Sequence, residues 1–475
     1  METSKIHFLS TAKARFIKIL KIIGKIFLGI LILLILILLF VRSPWGQNII
    51  KDKFISSIEE KSGAKIDLER IYIQFNGNIE VDDLYIEHPD GDTIIYSEHI
   101  TANIPFMPLI KGNGFSLDAL EARSVRANII QEDSITGFNY EVLMRAFTSD
   151  TTQTASTPAD TTSSSMQISL GEFDLKDFDV DYIDKVSGID TKAKFSELQL
   201  SFAETDLTNM AFVIEEAILN NAQVTYNQTK PFPPSEGETS TAPVFEVRKL
   251  NFSDVRASYN SSPDSISADM KIKLLETSQS NFNLKDSIIS SELLKLHDSD
   301  IILEIQQNTT SATTDEQENG ATEAFAWPEW KINIEEIDLA NNNILYRVND
   351  AQVQKGTFNP DILDIKDLDL QASNISYAPE NASLNISEFN FTEASGIEID
   401  RFNLKADLTK DQIQLTYITF DGISNSLNGN VQLSYSDLDT FLKDPGNASL
   451  QADLSNINLD LGEFFSFQPD LRENE

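Results

Sequence analysis

Few residues in this chain have the types and spacing that chemistry needs. It holds no cysteine, so it offers no disulfide, no thiolate metal ligand and no cysteine nucleophile. Its four histidines, His7, His88, His99 and His297, stand far apart, without the spacing at which paired imidazoles hold a metal. No Gly-x-Ser-x-Gly elbow, Gly-x-x-x-x-Gly-Lys phosphate loop, His-Glu-x-x-His helix or EF-hand loop occurs. Asp361, Asp364, Asp367 and Asp369 alternate with Ile and Leu. They read as the wet face of a strand, with calcium ligation the weaker reading. The expectation is a protein that is not an enzyme, with no catalytic residue, metal site or cofactor.

What remains is shape. With 475 residues the chain is too long for one compact core unless its architecture repeats. At 41% hydrophobic it is not disordered overall. Its formal net charge of −37 repels nucleic acid and anionic membrane surfaces, except at the basic N-terminus.

One pattern recurs, most clearly from Ile332 to Tyr346: apolar slots separated by steps of two, three, two, three, two and two. It fits Ile332, Ile334, Ile337, Leu339, Ile344 and Tyr346, with Asn342 in the remaining slot. It fits Phe115, Leu117, Leu120, Ala122, Val125, Ala127 and Ile129, and again Ile168, Leu170, Phe173, Leu175, Phe178, Val180 and Tyr182. Further copies are Phe212, Ile214, Ala217, Leu219, Ala222, Val224, Tyr226 and Phe245, Val247, Leu250, Phe252, Val255, Ala257, Tyr259. Leu363, Ile365, Leu368, Leu370, Ser373, Ile375 and Tyr377 make a sixth copy, and Ile289 to Leu303 a weaker one with Ser291 and Ser299 in two slots. A step of two keeps one face of a strand, and a step of three flips it unless a bulge or turn absorbs the extra residue. Each unit therefore reads as strand, bulge, strand, tight turn and returning strand. The turn is expected at Asn220-Asn221, Ser253-Asp254 and Asn341-Asn342.

The elements that must carry these units follow in order. Residues 1–21 form a basic tail and 22–41 an apolar segment long enough to span a bilayer. Ile22, Ile26, Phe27, Leu31, Leu34, Leu38 and Val41 would anchor it, with the N-terminus in the cytoplasm. A cleaved signal peptide is the alternative, but no small-x-small site follows. Residues 43–62 read as an amphipathic helix, capped by Ser43 and Pro44 and ended by Gly63. Its stripe of Ile49, Ile50, Phe54, Ile55 and Ile58 would lie on the membrane or plug the start of a sheet. Residues 65–475 read almost wholly as strands, with turns at Asn76-Gly77 and His88 to Asp92 and one doubtful short helix at Leu293–Leu296. Polar stretches at 148–165, 228–242 and 306–323 read as excursions from the sheet edge, since a unit follows each.

Residues 17–130 carry a family resemblance. The Pro44-Trp45-Gly46 exit and the helix ending before Gly63 are two of its features. The others are the hairpin "VDDLYIEHPDGDTIIYSEHI" and the Pro108-Leu109-Ile110-Lys111-Gly112 turn. Together they resemble the N-terminus of the AsmA/TamB family of bacterial envelope proteins. The later "INIEEIDLANNNILY" units resemble that family's repeats. The resemblance implies a mainly β fold: a single-pass inner-membrane helix, a short amphipathic helix, then an elongated, repetitive, curved periplasmic β-sheet shaped as a groove with an apolar inner face. It implies that the groove carries phospholipid acyl chains toward the outer membrane, or helps insert proteins there with an outer-membrane barrel partner. The family's C-terminal domain is not recognisable before Glu475. That leaves a fragment, a short member, or a chain needing a partner for its far end.

A strand array with one apolar face must pack on helices, on another sheet, on itself, or cover a ligand. A sandwich or closed barrel would bury it without a ligand, and an open groove would bury it against lipid. Roughly 25 strands at about 4.8 Å each give a sheet on the order of 120 Å long. The proposed lipid-facing residues are Phe115, Leu117, Leu120, Phe173, Leu175, Phe178, Phe212, Ile214, Phe245, Val247, Leu250, Phe252, Ile332, Ile334, Ile337, Leu339, Leu363, Ile365, Leu368 and Leu370, with Ser299, Asn342 and Ser373 as polar exceptions. Three functions are weighed. They are a lipid conduit, an assembly factor whose edge strand pairs with partner segments, and a passive membrane-anchored scaffold.

Overall fold

The computed structural model describes residues 32–33, 39–40, 43–74, 77–105, 115–147, 168–206, 211–232, 244–283, 286–307, 327–460 and 462. Among these, nineteen strands form one sheet. They are β1 (Lys65–Asp67), β2 (Arg70–Ile73), β3 (Asn78–Glu87), β4 (Thr93–Asn103), β5 (Phe115–Gln131), β6 (Ile168–Asp184), β7 (Ile189–Asp206), β8 (Ala211–Gln228), β9 (Val244–Ser261), β10 (Ile266–Asn283), β11 (Ile288–His297), β12 (Asp300–Ile305), β13 (Lys331–Val348), β14 (Ile362–Ala378), β15 (Asn381–Glu393), β16 (Glu398–Thr409), β17 (Gln412–Gly422), β18 (Ser426–Ser434) and β19 (Ser449–Asn458). The helices are α1 (Pro44–Ser62), α2 (Glu141–Phe147) and α3 (Leu438–Lys443).

Neighbours in sequence are neighbours in space. β1 and β2 lie end to end against β3, and β11 and β12 end to end against both β10 and β13. The ladder therefore has about seventeen rungs from nineteen strands and measures about 80 Å at roughly 4.8 Å per rung. This replaces the expected 25 strands and 120 Å, because each repeat is one long strand and not a hairpin. β5, β6, β8, β9 and β13 run 17 or 18 residues without a reversal.

The predicted tight turn is a kink. Ser124, Asp177, Asn221, Asp254, Asp298 and Asn341 all hold φ between 50° and 54°. Each sits nine residues after its unit's first slot. Asp and Asn tolerate this left-handed conformation best among residues with a Cβ. One extra residue is absorbed there, the strand goes on, and the face is kept. The first step of three is a second bulge. At Gly171 in that bulge, an added Cβ would lie 2.0 Å from the Asp118 carbonyl oxygen, so only glycine fits.

Three pairs are parallel: β5 with β6, β8 with β9, and β11/β12 with β13. Parallel neighbours need a crossover, and the three polar stretches fall in those crossovers. In sequence they join the end of one parallel strand to the start of its partner. Residues 148–167, 233–243 and 308–326 within them lie outside the described residues.

Two further expectations change. Leu293–Leu296 lies in β11 and is no helix. In β14 the slot given to Ser373 belongs to Ala372, which pairs with Ile337 and is buried. Asn374, at φ 52°, takes the extra residue, so Ser373 turns to the charged face and its hydroxyl accepts from Asn385 Nδ2 at 3.1 Å.

Helix α1 is capped as expected. The Ser43 hydroxyl accepts from the Gly46 amide at 3.0 Å, and Gly63 closes the end at φ 73°. Its apolar stripe divides. Ile55 and Ile58 pack with Leu143 of α2 on Ile66, Leu84 and Ile86, while Ile49 and Phe54 stay exposed. Buried Gln47 accepts from the Ile73 amide at 3.2 Å, and Glu59 accepts from the Ile66 amide at 2.9 Å. The helix plugs the first rungs of the sheet. Among the described residues no helix is long and apolar enough to cross a membrane. The anchor residues Ile22, Ile26, Phe27, Leu31, Leu34, Leu38 and Val41 lie outside them.

Beside the plug, Arg70 Nε donates to Asp82 Oδ2 at 2.6 Å, and His99 Nδ1 lies 2.6 Å from Asp82 Oδ1. Burial pushes the Asp82 carboxyl up, but hydrogen bonds with His99 and Arg70 outweigh it and hold the group below its ordinary range. A depressed carboxyl stabilises the fold above its unfolded value near about 4. That contribution is lost as pH falls through the lower folded value. Acid titration should therefore loosen β2 to β4 below about pH 4, and Asp82→Asn should flatten that dependence, as amide exchange by NMR would report. The kinks give a second expected outcome. Asn221→Gly should leave the denaturation midpoint nearly unchanged, whereas Asn221→Val should destabilise by about 1–2 kcal/mol.

Candidate functional site

Because parallel units share both bulges, equivalent slots stand opposite one another. Phe115 pairs with Ile168, Leu117 with Leu170, Leu120 with Phe173 and Ala122 with Leu175. Phe212 pairs with Phe245, Ile214 with Val247 and Leu219 with Phe252. In β13 and β14, Ile334 pairs with Ile375, Leu339 with Leu370, Ile344 with Ile365 and Tyr346 with Leu363. The predicted slot residues are thus brought to one face, while their sequence neighbours Asn333, Glu335, Glu336 and Asn341 are exposed on the other.

The antiparallel strands continue the face. One cross-strand row runs Ile73, Ile79, Ala102, Leu120, Phe173, Leu200, Ala217, Leu250, Thr277, Leu294, Ile337, Ala372, Ile386, Leu404. It extends about 60 Å at roughly 4.8 Å per strand, with Thr277 its only polar member. Rings reinforce it. Phe178 stacks on Phe195 with centroids 5.0 Å apart, Phe212 on Phe245 at 5.5 Å and Tyr226 on Tyr259 at 5.1 Å. Phe173 meets Phe202, and Phe402 bridges Phe389 and Phe420. Burial pushes the Tyr226 phenol up, with Tyr259 and Asp264 adding to it.

The repeat template missed Phe195, Leu198, Leu200 and Phe202 of β7. That strand runs the slots in reverse with Thr191 and Ala193 among them, so its alternation was not distinctive. Their signal was the single offset of three between Phe195 and Leu198.

The polar slots are repairs in the backbone. Where β11 ends and β12 begins, Asn342 is buried in the neighbouring strand. Its Oδ1 accepts from the Ser299 amide at 3.1 Å and its Nδ2 donates to the Leu296 carbonyl at 2.8 Å. The side chain supplies the ladder bonds that the break removes. Ser280 and Ser291 hydrogen-bond each other at 2.8 Å, and the Ser291 hydroxyl lies 2.7 Å from the Leu293 carbonyl.

Little covers this face. Among the described residues the buried hydrophobic cluster lies at the first rungs, under α1 and α2. Beyond it, the described strands contact mainly their sheet neighbours, with Phe138 against Tyr182 and Trp327 against Tyr377 as contacts from outside the ladder, and slots such as Ile334, Ile337, Leu339 and Phe173 are only partly buried. Phe245 is 38% exposed. β19 does not return to β1, so the described sheet is not a closed barrel.

Among the described residues the histidines do not meet. His88 sits in a turn, His99 contacts Asp82 and His297 Nε2 lies 2.9 Å from Asp338. His7 lies outside the described residues. Asp369 accepts from the Asn341 amide at 2.7 Å and Asp364 meets Lys366 at 2.9 Å, both strand-surface roles.

Comparison with protein-family models, curated proteins and solved structures finds no match.

Asn342→Leu matches the apolar pattern yet should destabilise by about 1–3 kcal/mol, because it strands the Ser299 amide and Leu296 carbonyl. Thr277→Val should leave stability unchanged or raise it by about 1 kcal/mol, since the buried Thr277 hydroxyl has no partner among the described residues. Denaturant midpoints of the two variants check this opposition.

Proposed function

We propose that this chain is an inner-membrane-anchored periplasmic conduit that holds phospholipid acyl chains on the apolar face of its sheet and carries them toward the outer membrane. The observation that carries this reading is the row from Ile73 to Leu404, continuous across the sheet and, among the described residues, covered by a buried cluster at its first rungs. Such a face is unfavourable in water at roughly 25 cal/mol per Å² of apolar surface, and acyl chains are an occupant of matching chemistry. Movement along it needs no nucleophile, metal or cofactor. The likeness of residues 17–130 to the AsmA/TamB family supports the same reading, as does the apolar segment 22–41, which would fix one end at a lipid source.

A second reading, an assembly factor, is favoured by one observation. Among the described residues β19 pairs only with β18, and Leu450, Leu454 and Ile457 on it are exposed. An unpaired, apolar edge strand is a template for β-augmentation by a partner segment, such as part of an outer-membrane barrel protein.

The test is lipid content. Full-length protein extracted in mild detergent should retain phospholipid through purification, measured by mass spectrometry of the extract. Ile337→Asp and Leu294→Asp should lose most of it, with circular dichroism confirming the sheet, while outward Asn333→Asp should retain it. Equal lipid in all variants, or none in the native chain, would sink the conduit reading.

A further inference from the structure

The charged face holds a feature that the conduit does not use. Where the second bulges of β5 to β10 align, the sheet pinches into a furrow of about 520 Å³ on that face. Its lining carries five bases, Arg126, Lys194, Arg256, Lys271 and Lys273, against three acids, Asp177, Asp254 and Asp298, with Lys273 held by Asp254 at 2.6 Å.

The register makes the arrangement unusual. One row of paired residues crosses the furrow: Arg126, Asp179, Lys194, Gln223, Arg256, Lys271 and Asp300. Its ends are neutralised, with Lys194 3.3 Å from Asp179 and Lys271 3.8 Å from Asp300. In the middle Arg256 stands directly opposite Lys271. Like charges so placed oppose strand pairing. Arg256 is exposed and has no hydrogen-bonding or ionic side-chain partner among the described residues. Elsewhere on this face comparable bases meet acids, as Arg248 meets Glu215 and Lys249 meets Glu216, both at 2.5 Å.

We propose that the Arg256–Lys271 pair, with the Gln223 carboxamide beside it, binds the phosphate group of a small soluble phosphorylated molecule. The guanidinium offers a planar fork for two phosphate oxygens, and the ammonium adds a point charge at the third. The furrow has the volume of a small-molecule site. The chain's net charge of −37 disfavours a densely anionic bilayer surface more than a single small phosphate, because the repulsion grows with the partner's charge. The site lies on the face opposite the apolar row, so it stands or falls independently of the conduit.

The experiment is a thermal-shift and calorimetric titration of full-length protein in neutral detergent with inorganic phosphate and glycerol phosphate. Ionic strength is held constant with sodium chloride to remove simple screening. The native chain should gain a midpoint rise of several degrees. Arg256→Gln and Lys271→Gln should each weaken binding tenfold or more, while the midpoint of Arg256→Gln without phosphate stays equal to the native one or rises, because the like-charge opposition is gone. Arg256→Lys should bind with intermediate strength. No shift at matched ionic strength, an equal shift in Arg256→Gln, or binding only to vesicles containing anionic phospholipid would each overturn the proposal.

Discussion

Strand register through two bulges is the constraint on which the rest of this structure depends. A slip of one residue in any strand would turn its apolar slots to the charged face. Parallel partners avoid this by bulging at the same two places, so Leu120 meets Phe173 and Val125 meets Phe178 although extra residues intervene. The residues that make this possible are not apolar. They are Ser, Asp and Asn at the kink, whose side chains tolerate positive φ, and Gly171, where the backbones come too close for a Cβ.

Much of this was legible in the sequence because a bulge leaves an arithmetic trace. The steps of three marked both irregularities, and the slot residues of β5, β6, β8, β9 and β13 fall on one face as the spacing requires. What the spacing could not say was whether the chain reverses at the second offset. Asn and Asp favour tight turns and single left-handed kinks for the same conformational reason, so spacing alone predicts a turn where the strand only bends. The polar crossovers were seen as segments but not as connections, since parallel pairing is a property of two distant strands. Ser373 was misplaced by one residue because Ala372 and Ser373 are both small, and pairing with Ile337 decides between them. Asn342 looked like a polar defect in an apolar track. Its role appears only with the break between β11 and β12 that it bridges.

The two faces divide the work. The apolar face is assembled from slots and rings and, among the described residues, is covered by α1 and α2 at its first rungs. The other carries the acids that make the chain strongly anionic, interleaved with bases that pair across strands. Arg347 with Glu304 and Arg401 with Asp421 are typical. Such pairs, partly exposed to solvent, contribute little individually to stability, about 0–1 kcal/mol. Their larger effect is on register and on solubility, since they mark which face stays in water. The kinks join the two faces: the bulge that keeps Val255 turned inward also opens the furrow beside Arg256.

The claim on which this account turns is that the apolar face is occupied by lipid and not by protein. Site-specific photo-crosslinking in cells tests it most directly, with the probe at Ile334 and, as the outward control one residue away, at Asn333. The account predicts phospholipid adducts at Ile334 and none at Asn333. Adducts at neither position, with protein crosslinks from Ile334, would mean that the face is closed by packing and would contradict it.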